Sequence, residues 1–189
     1  MRAVALALQL IVVVTDGWEG DRGELRRYER AADGWHQVGA TVAVAVGAGG
    51  LGWGHGLHPK PPRGEPTKRE GDRRSPAGVF ELGRVFEAAD LVCVDDPSSH
   101  DYNRVVAHGH GEDMKGYRRA LFVAHNPSGA PGEGSCIFLH DGDSPTVGCT
   151  AMAPAALDEL IAWRKPGALL VQLPRPVYQR MKRAWKLPE

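Results

Sequence analysis

A cysteine and a histidine nine residues apart, Cys149 and His140, are the side chains of this sequence best suited to covalent chemistry. A thiol attacks carbonyls as its thiolate, and a neighbouring imidazole can take the thiol proton and return it to a leaving amine. In the run Ser135 to His140 alternate side chains share a face, so Cys136, Phe138 and His140 point together if the run is a strand. A short turn, Asp141 to Pro145, leads into Thr146-Val147-Gly148-Cys149-Thr150-Ala151-Met152, and a helix is predicted from about Pro154. That order puts Cys149 in a Gly-preceded turn ahead of a helix N-terminus, where backbone N–H groups and the helix dipole lower a thiol pKa. The expectation is alkylation of Cys149 well below the pH an ordinary thiol needs. Gly148 leaves room for a carbonyl to approach, and N–H groups around Cys149 are candidates to hold an oxyanion. On spacing alone, a buried thiol and a satisfied strand-end histidine is the more economical reading, because such pairs are common.

The words around the pair carry more. His140 through Thr146-Val147-Gly148-Cys149 to Met152 resembles the active-site signature of the L,D-transpeptidase (YkuD-like) catalytic domain: a His, a short insert, Ser/Thr-x-Gly-Cys, then a hydrophobic stretch. Upstream, Lys68-Arg-Glu-Gly-Asp72-Arg-Arg-Ser-Pro-Ala-Gly-Val-Phe80 is similar to that family's Lys-x-Glu-Gly-Asp-x-x-Thr/Ser-Pro-x-Gly-x-Phe. Between them, Cys93 to Pro97, Tyr102-Asn103, Glu112 to Met114 with Tyr117, and Gly134 to His140 look like a compact bacterial branch of the family.

The resemblance implies a mainly β catalytic domain of β-sandwich type, with one helix after the catalytic Cys and another at the C-terminus. It implies an acyltransferase in cell-wall biogenesis, acting on peptidoglycan stem peptides at the bond between an L-centre and a terminal D-residue. Cys149 matches the nucleophile and His140 the general base, and no metal or organic cofactor is implied. Gly148, Thr146 and Thr150 fall at the oxyanion and substrate side of the signature. Lys68, Arg73 and Tyr102 are further candidates for holding substrate. The chain departs from the family at Val147 and Ala151, where many members carry His and Arg. Substrate charge must then be anchored elsewhere, with Lys68, Arg73 and Arg104 as candidates that are ordinarily solvated surface charges. A hydrolase at the same site (L,D-carboxypeptidase or endopeptidase) and a non-catalytic cell-wall-binding domain are the competing readings.

Three cysteines are too few for a disulfide scaffold, and at most one intrachain pair can form. Cys93 and Cys136 fall in strands that the family places in one domain. In an oxidising envelope they are the pair that would leave Cys149 free, with two buried free thiols as the alternative. His108 and His110 read as exposed loop histidines rather than metal ligands. Asp95-Asp96 reads as a turn capping backbone N–H groups. Trp53, His55 and His58 either line the cleft or pack beneath a glycine-rich loop, and His125 reads as structural.

The elements that must position these groups are punctuated by 24 glycines and 14 prolines, about a fifth of the 189 residues against about 12% on average. Such a composition excludes a helical bundle, and 42% apolar residues exclude wholesale disorder. Equal numbers of basic and acidic residues, 23 each, argue against nucleic acid as a partner. Gln9 to Thr15 reads as a buried strand. Together with the apolar residues from Ala3 it mimics a signal peptide, yet no small-x-small cleavage site follows and the run is too short to span a bilayer. An envelope or periplasmic location is expected from the family alone.

Asp21 to Arg30 is a polar, charged stretch with Leu25 and Tyr28 as its apolar members. Trp35 to Val38 and Thr41 to Gly47 read as a strand pair, and Gly47 to Pro76 as a long functional loop. Further strands are predicted at Gly78 to Phe86, Leu91 to Asp95, Tyr117 to Ala124, Ser135 to His140 and Ala168 to Leu173. One helix begins near Pro154, with Leu157, Leu160 and Ile161 as its stripe. A basic amphipathic helix over Pro176 to Trp185 places Val177, Met181 and Trp185 on one face. The expectation is one catalytic domain over 1–189, with its core over about 9–174, a basic C-terminal segment over 175–189, and a monomeric state.

Overall fold

The computed structural model describes residues 2–87 and 90–189. A short helix α1 (Arg2–Leu6) precedes β1 (Gln9–Thr15), β2 (Arg22–Ala31), β3 (Gly34–Ala45) and β4 (Leu51–Trp53). There follow β5 (Ser75–Phe86), β6 (Val92–Cys93), β7 (Val105–Val106), β8 (Glu112–Asp113) and, after a 3-10 turn at Met114–Gly116, β9 (Ala120–Val123). The chain ends with β10 (Phe138–Asp141), β11 (Thr150–Met152), α2 (Pro154–Trp163), β12 (Leu169–Pro174) and α3 (Arg175–Trp185). The domain is mainly β, with a helix after Cys149 and another at the C-terminal end, as the sequence predicts.

Nine strands form one sheet in the order β12-β1-β2-β3-β11-β10-β9-β5-β4, and an extra β12–β5 pairing closes it on itself. β5 makes this closure possible. Its Gly78 to Glu81 stretch pairs with β12, its Leu82 to Phe86 stretch with β9, and the register slips between Leu82 and Val85. An irregularity of this kind bends a strand, so β5 serves both layers of the sandwich. β1 and β12 run parallel and are buried along their whole length, which explains their continuous β-branched and leucine-rich sequences. α3 covers them with Val177, Tyr178 and Trp185. α2, with Pro154 in its first turn, buries Leu157 and Leu160 and packs against β10. Arg118 and Arg119 both clasp Asp158 on α2 at 3.0 Å, tying the approach to β9 to the same helix.

Several local expectations change, among them the strand predicted from Ser135, which begins only at Phe138 and leaves Cys136 outside it at φ 53°. The polar, charged stretch Asp21 to Arg30 forms most of β2, whose pairing with β3 has a register shift between Leu25 and Arg27. Leu25, Arg27 and Tyr28 are all buried, and Arg27 meets Glu159 at 3.1 Å. The predicted pair Trp35 to Val38 and Thr41 to Gly47 is a single strand, β3, that accommodates Gly39 at φ 73° without ending. The long loop from Gly47 is folded tightly onto β5. It supplies β4, parallel to the start of β5, and Trp53 at the centre of an aromatic group with Trp18, His58 and Trp185. Trp53 is therefore a packed aromatic beneath the loop.

A second sheet, β7-β6-β8, caps one side of the molecule. Between cap and main sheet lies a small separate core of Phe86, Cys93, Met114, Ala120, Cys136, Phe138 and Cys149. The candidate nucleophile belongs to this second core, not to the main one.

Candidate active site

β10 and β11 lie side by side and parallel, with Leu139 opposite Thr150 and His140 opposite Ala151. Cys149 immediately precedes β11, so this pairing brings its turn beside the strand that carries His140. The two side chains line one cleft of about 330 Å3 together with Tyr117, Asp143, Thr146 and Val147. The His140 Nδ1 lies 2.9 Å from the Asp141 carbonyl oxygen, a contact that requires Nδ1 to carry the proton and leaves Nε2 as the basic nitrogen. Burial holds the His140 pKa below the ordinary histidine value, opposed by the Asp141 carbonyl, so the ring is neutral at neutral pH. Tyr117 packs edge-on against it with ring centres 5.0 Å apart.

The thiol is held from both sides. Phe138 N–H donates to Cys149 Sγ at 3.3 Å, and the thiol donates to the Cys136 carbonyl at 3.4 Å. Its pKa moves opposite to the sequence expectation: burial pushes it up to about 12, and the Glu112 carboxylate adds to the rise. Two features explain the reversal. β11 intervenes between Cys149 and α2, so the thiol is out of range of a helix dipole that fades beyond the first turn. The small core also leaves the side chain almost no solvent.

The turn that presents Cys149 is built by both sequence motifs at once. Gly148 N–H donates to Thr146 Oγ1 at 3.1 Å, and Thr146 Oγ1 donates to the Cys149 carbonyl at 2.6 Å. Ser75, from the upstream motif, donates to that same carbonyl at 2.8 Å and accepts from Gly47 N–H at 2.8 Å. A side chain at Gly47 would strike the Arg73 carbonyl oxygen at 2.3 Å, so only glycine lets these segments close. Thr146 thus serves the turn. Gly148 N–H is already engaged, whereas the Cys149 N–H has no partner among the described residues.

The other predicted residues distribute unevenly. Lys68 is not a surface charge: its side chain is 3% exposed, and its ammonium lies 2.6 Å from Asp72 Oδ1 and 2.6 Å from the Arg69 carbonyl. It lines a second cavity of about 310 Å3 on another side of Cys149, with Glu70, Asp95, Glu112, Ser135 and Gly148. Tyr102 is buried behind that cavity, donating to Glu70, which also accepts from Ser135 Oγ at 2.6 Å. Thr150 faces the interior, donating to Gln172 at 2.8 Å, and Gln172 in turn donates to the Pro76 carbonyl at 3.0 Å. Arg73 is exposed at φ 57° and lines neither cavity, and Arg104 is exposed beside Asp101. His108 and His110 are exposed, and Asp96 caps Ser98 N–H at 2.9 Å. His125 is buried, accepting from His55 N–H at 3.1 Å. Among the described residues no group of three or more His, Cys, Asp or Glu is arranged to hold a metal ion. No described helix is long and apolar enough to cross a membrane.

Asp72 organises the upstream motif by accepting from Lys68 Nζ, Arg69 N–H and Arg74 N–H. Asp72→Asn leaves the buried Lys68 ammonium without a countercharge. It is expected to lower stability by about 3 kcal/mol, read from urea unfolding midpoints at constant slope. An unchanged midpoint would show that Lys68 finds solvent in the folded state.

The L,D-transpeptidase catalytic domain (YkuD) family model matches residues 16–178, most of the chain and the whole of this constellation. The chain belongs to the L,D-transpeptidase catalytic-domain family. A search of curated proteins finds no match. Among solved structures, the fold is similar to that of Bd1075 from Bdellovibrio bacteriovorus, with a TM-score of 0.50 and 14% sequence identity. The similarity covers 96% of this chain and 55% of that one, so this chain spans little more than half its length. At that identity the likeness speaks for the fold alone.

The family assignment directs attention to residues that sequence reasoning left without a role. Ser75, Glu112 and Tyr117 all stood inside or between recognised motifs, yet only the folded chain brings them to Cys149. Ser75 had one usable signal, its place in a motif that ends at a strand.

Proposed function

We propose that this domain transfers acyl groups between peptidoglycan stem peptides through a Cys149 thioester. The observation that carries the reading is the meeting of the chain's free thiol with a neutral histidine in one cleft. His140 Nε2 takes the thiol proton as Sγ attacks the carbonyl that links the L-centre of a stem to its terminal D-residue. The oxyanion forms beside the unpartnered Cys149 N–H. The tetrahedral intermediate collapses as the imidazolium returns its proton to the departing D-amino acid, leaving a thioester. An acceptor amine then attacks the thioester and gives its proton to His140, and the thiol is restored.

Two cavities border Cys149, and they share only that residue and Val147. Two approaches suit a reaction with a donor and an acceptor peptide, and they favour transfer over hydrolysis. A Cys93–Cys136 disulfide suits an oxidising envelope, the compartment in which such substrates lie.

Incubating the protein with tetrapeptide stems and an isotopically labelled D-amino acid tests the reading by mass spectrometry. Label should enter the stem, and Cys149→Ala should abolish its entry. Release of the D-residue without incorporation would make the enzyme a hydrolase. Equal activity in the wild type and Cys149→Ala would refute the site.

A further inference from the structure

Tyr117 has one hydroxyl proton and stands between two groups that compete for it. The hydroxyl donates to Glu112 Oε1, and Tyr117 lines the same cleft as the Cys149 thiol. The tyrosine has little freedom to turn away, because its ring is wedged 5.9 Å from Phe138 and 5.0 Å from His140. Glu112 comes from the cap, where β8 pairs it with Cys93 of β6. The other ionisable groups around the sulfur are His140 and Asp143 in the first cleft, and Lys68, Glu70 and Asp95 in the second cavity. Lys68 is paired with Asp72 and its charge still opposes, in part, the three carboxylates Glu70, Asp95 and Glu112 of the second cavity.

A hydroxyl that gives its proton to a carboxylate offers a sulfur atom only lone pairs. Such a hydroxyl can accept from S–H but cannot stabilise S⁻. We infer that Glu112 is a positioning residue that holds the Tyr117 proton away from Cys149, so that the resting site keeps a neutral thiol and His140 deprotonates it only in step with attack on the substrate. This role rests on the acyl-transfer reading for its purpose, but the thiol behaviour it describes exists without substrate. Glu112 and Tyr117 pull the thiol in opposite directions: after burial, the charge on Glu112 is the next cause that raises the Cys149 pKa, whereas a hydrogen bond from Tyr117 lowers it.

The experiment is alkylation of Cys149 by iodoacetamide against pH, followed by intact mass, with the Cys93–Cys136 disulfide kept oxidised. The wild type is compared with Glu112→Gln, Glu112→Ala and the double variant Glu112→Gln/Tyr117→Phe, each checked for an unchanged melting temperature. Both single variants should react at lower pH, with alkylation about tenfold faster at pH 8. Glu112→Ala serves if Glu112→Gln does not fold. The double variant should lose most of that gain, because no hydroxyl remains to donate to the thiolate. A folded Glu112 variant with the wild-type profile overturns the inference. A double variant as fast as Glu112→Gln overturns the part assigned to the Tyr117 proton. No stem peptide is used, so absence of label exchange in the wild type would refute the proposed function and leave this result standing.

Discussion

His140→Ala is expected to slow D-amino-acid exchange by about a thousandfold and to change the shape of its pH dependence. With the thiol pKa raised to about 12, only about one Cys149 in 100,000 is ionised at pH 7. The proposed acyl transfer therefore cannot rely on a standing thiolate and needs a base that acts during the attack. With His140 as the base, the active form carries a neutral imidazole, so activity should rise with pH through the His140 pKa and then level off. Because burial depresses that pKa below 6.5, the plateau should already be reached at neutral pH, and the loss should come only on the acid side. Without His140 the residual rate depends on thiolate alone, and it should climb about tenfold per pH unit through pH 7 to 10. The check is exchange measured across pH 5 to 10 for both proteins. A His140→Ala enzyme that kept a neutral plateau would assign the base to another group.

The same contrast shows what was legible in the sequence. β1 and β12 could be read because strands buried on both faces need continuous apolar β-branched residues. The segment of β2 could not, because its two apolar residues, Leu25 and Tyr28, are three apart and so break a period of two, and a buried arginine, Arg27, stands between them. Cys149 and His140 stood out as a candidate pair through their motif, whereas the parallel pairing of β10 with a three-residue β11 left no signal. That pairing separates Cys149 from α2 and reverses the expected acidity of the thiol. Lys68 shows the same limit from the other side. A lysine in a charged, glycine-rich stretch reads as solvated, and only the fold of 68–74 around Asp72 reveals a buried ion pair. Glu112 lies 37 residues from Cys149 along the chain, and it reaches the thiol through a cap whose strands are two residues long, too short for any periodic signal.

That cap depends on the second large prediction. Cys93 and Cys136 are joined across a sequence separation of 43 residues, and Cys149 remains free. The link ties β6 to Cys136, whose N–H donates to Asn103 Oδ1 at 3.0 Å and whose carbonyl accepts the Cys149 thiol. Cys136 sits at φ 53°, an unfavourable conformation for a residue with a side chain, so several constraints must hold it there. Closing a loop of this length restricts the unfolded chain by an amount worth about 4 kcal/mol. For a domain of this size that corresponds to a fall in Tm of about 10 °C when the bond is absent. Cys93→Ser/Cys136→Ser, or reduction by a dithiol, should produce that fall, and should also slow exchange as Glu112 and the Cys136 carbonyl lose their fixed positions beside the thiol. Cys149→Ala should show the same reductant-dependent drop in Tm, which separates the effect of the disulfide from chemistry at the nucleophile. Alkylation after denaturation provides the count: one modified thiol in the oxidised protein and three after reduction. A double serine variant with wild-type Tm and exchange would mean that Asn103 and the packing around Met114 hold the cap without covalent help.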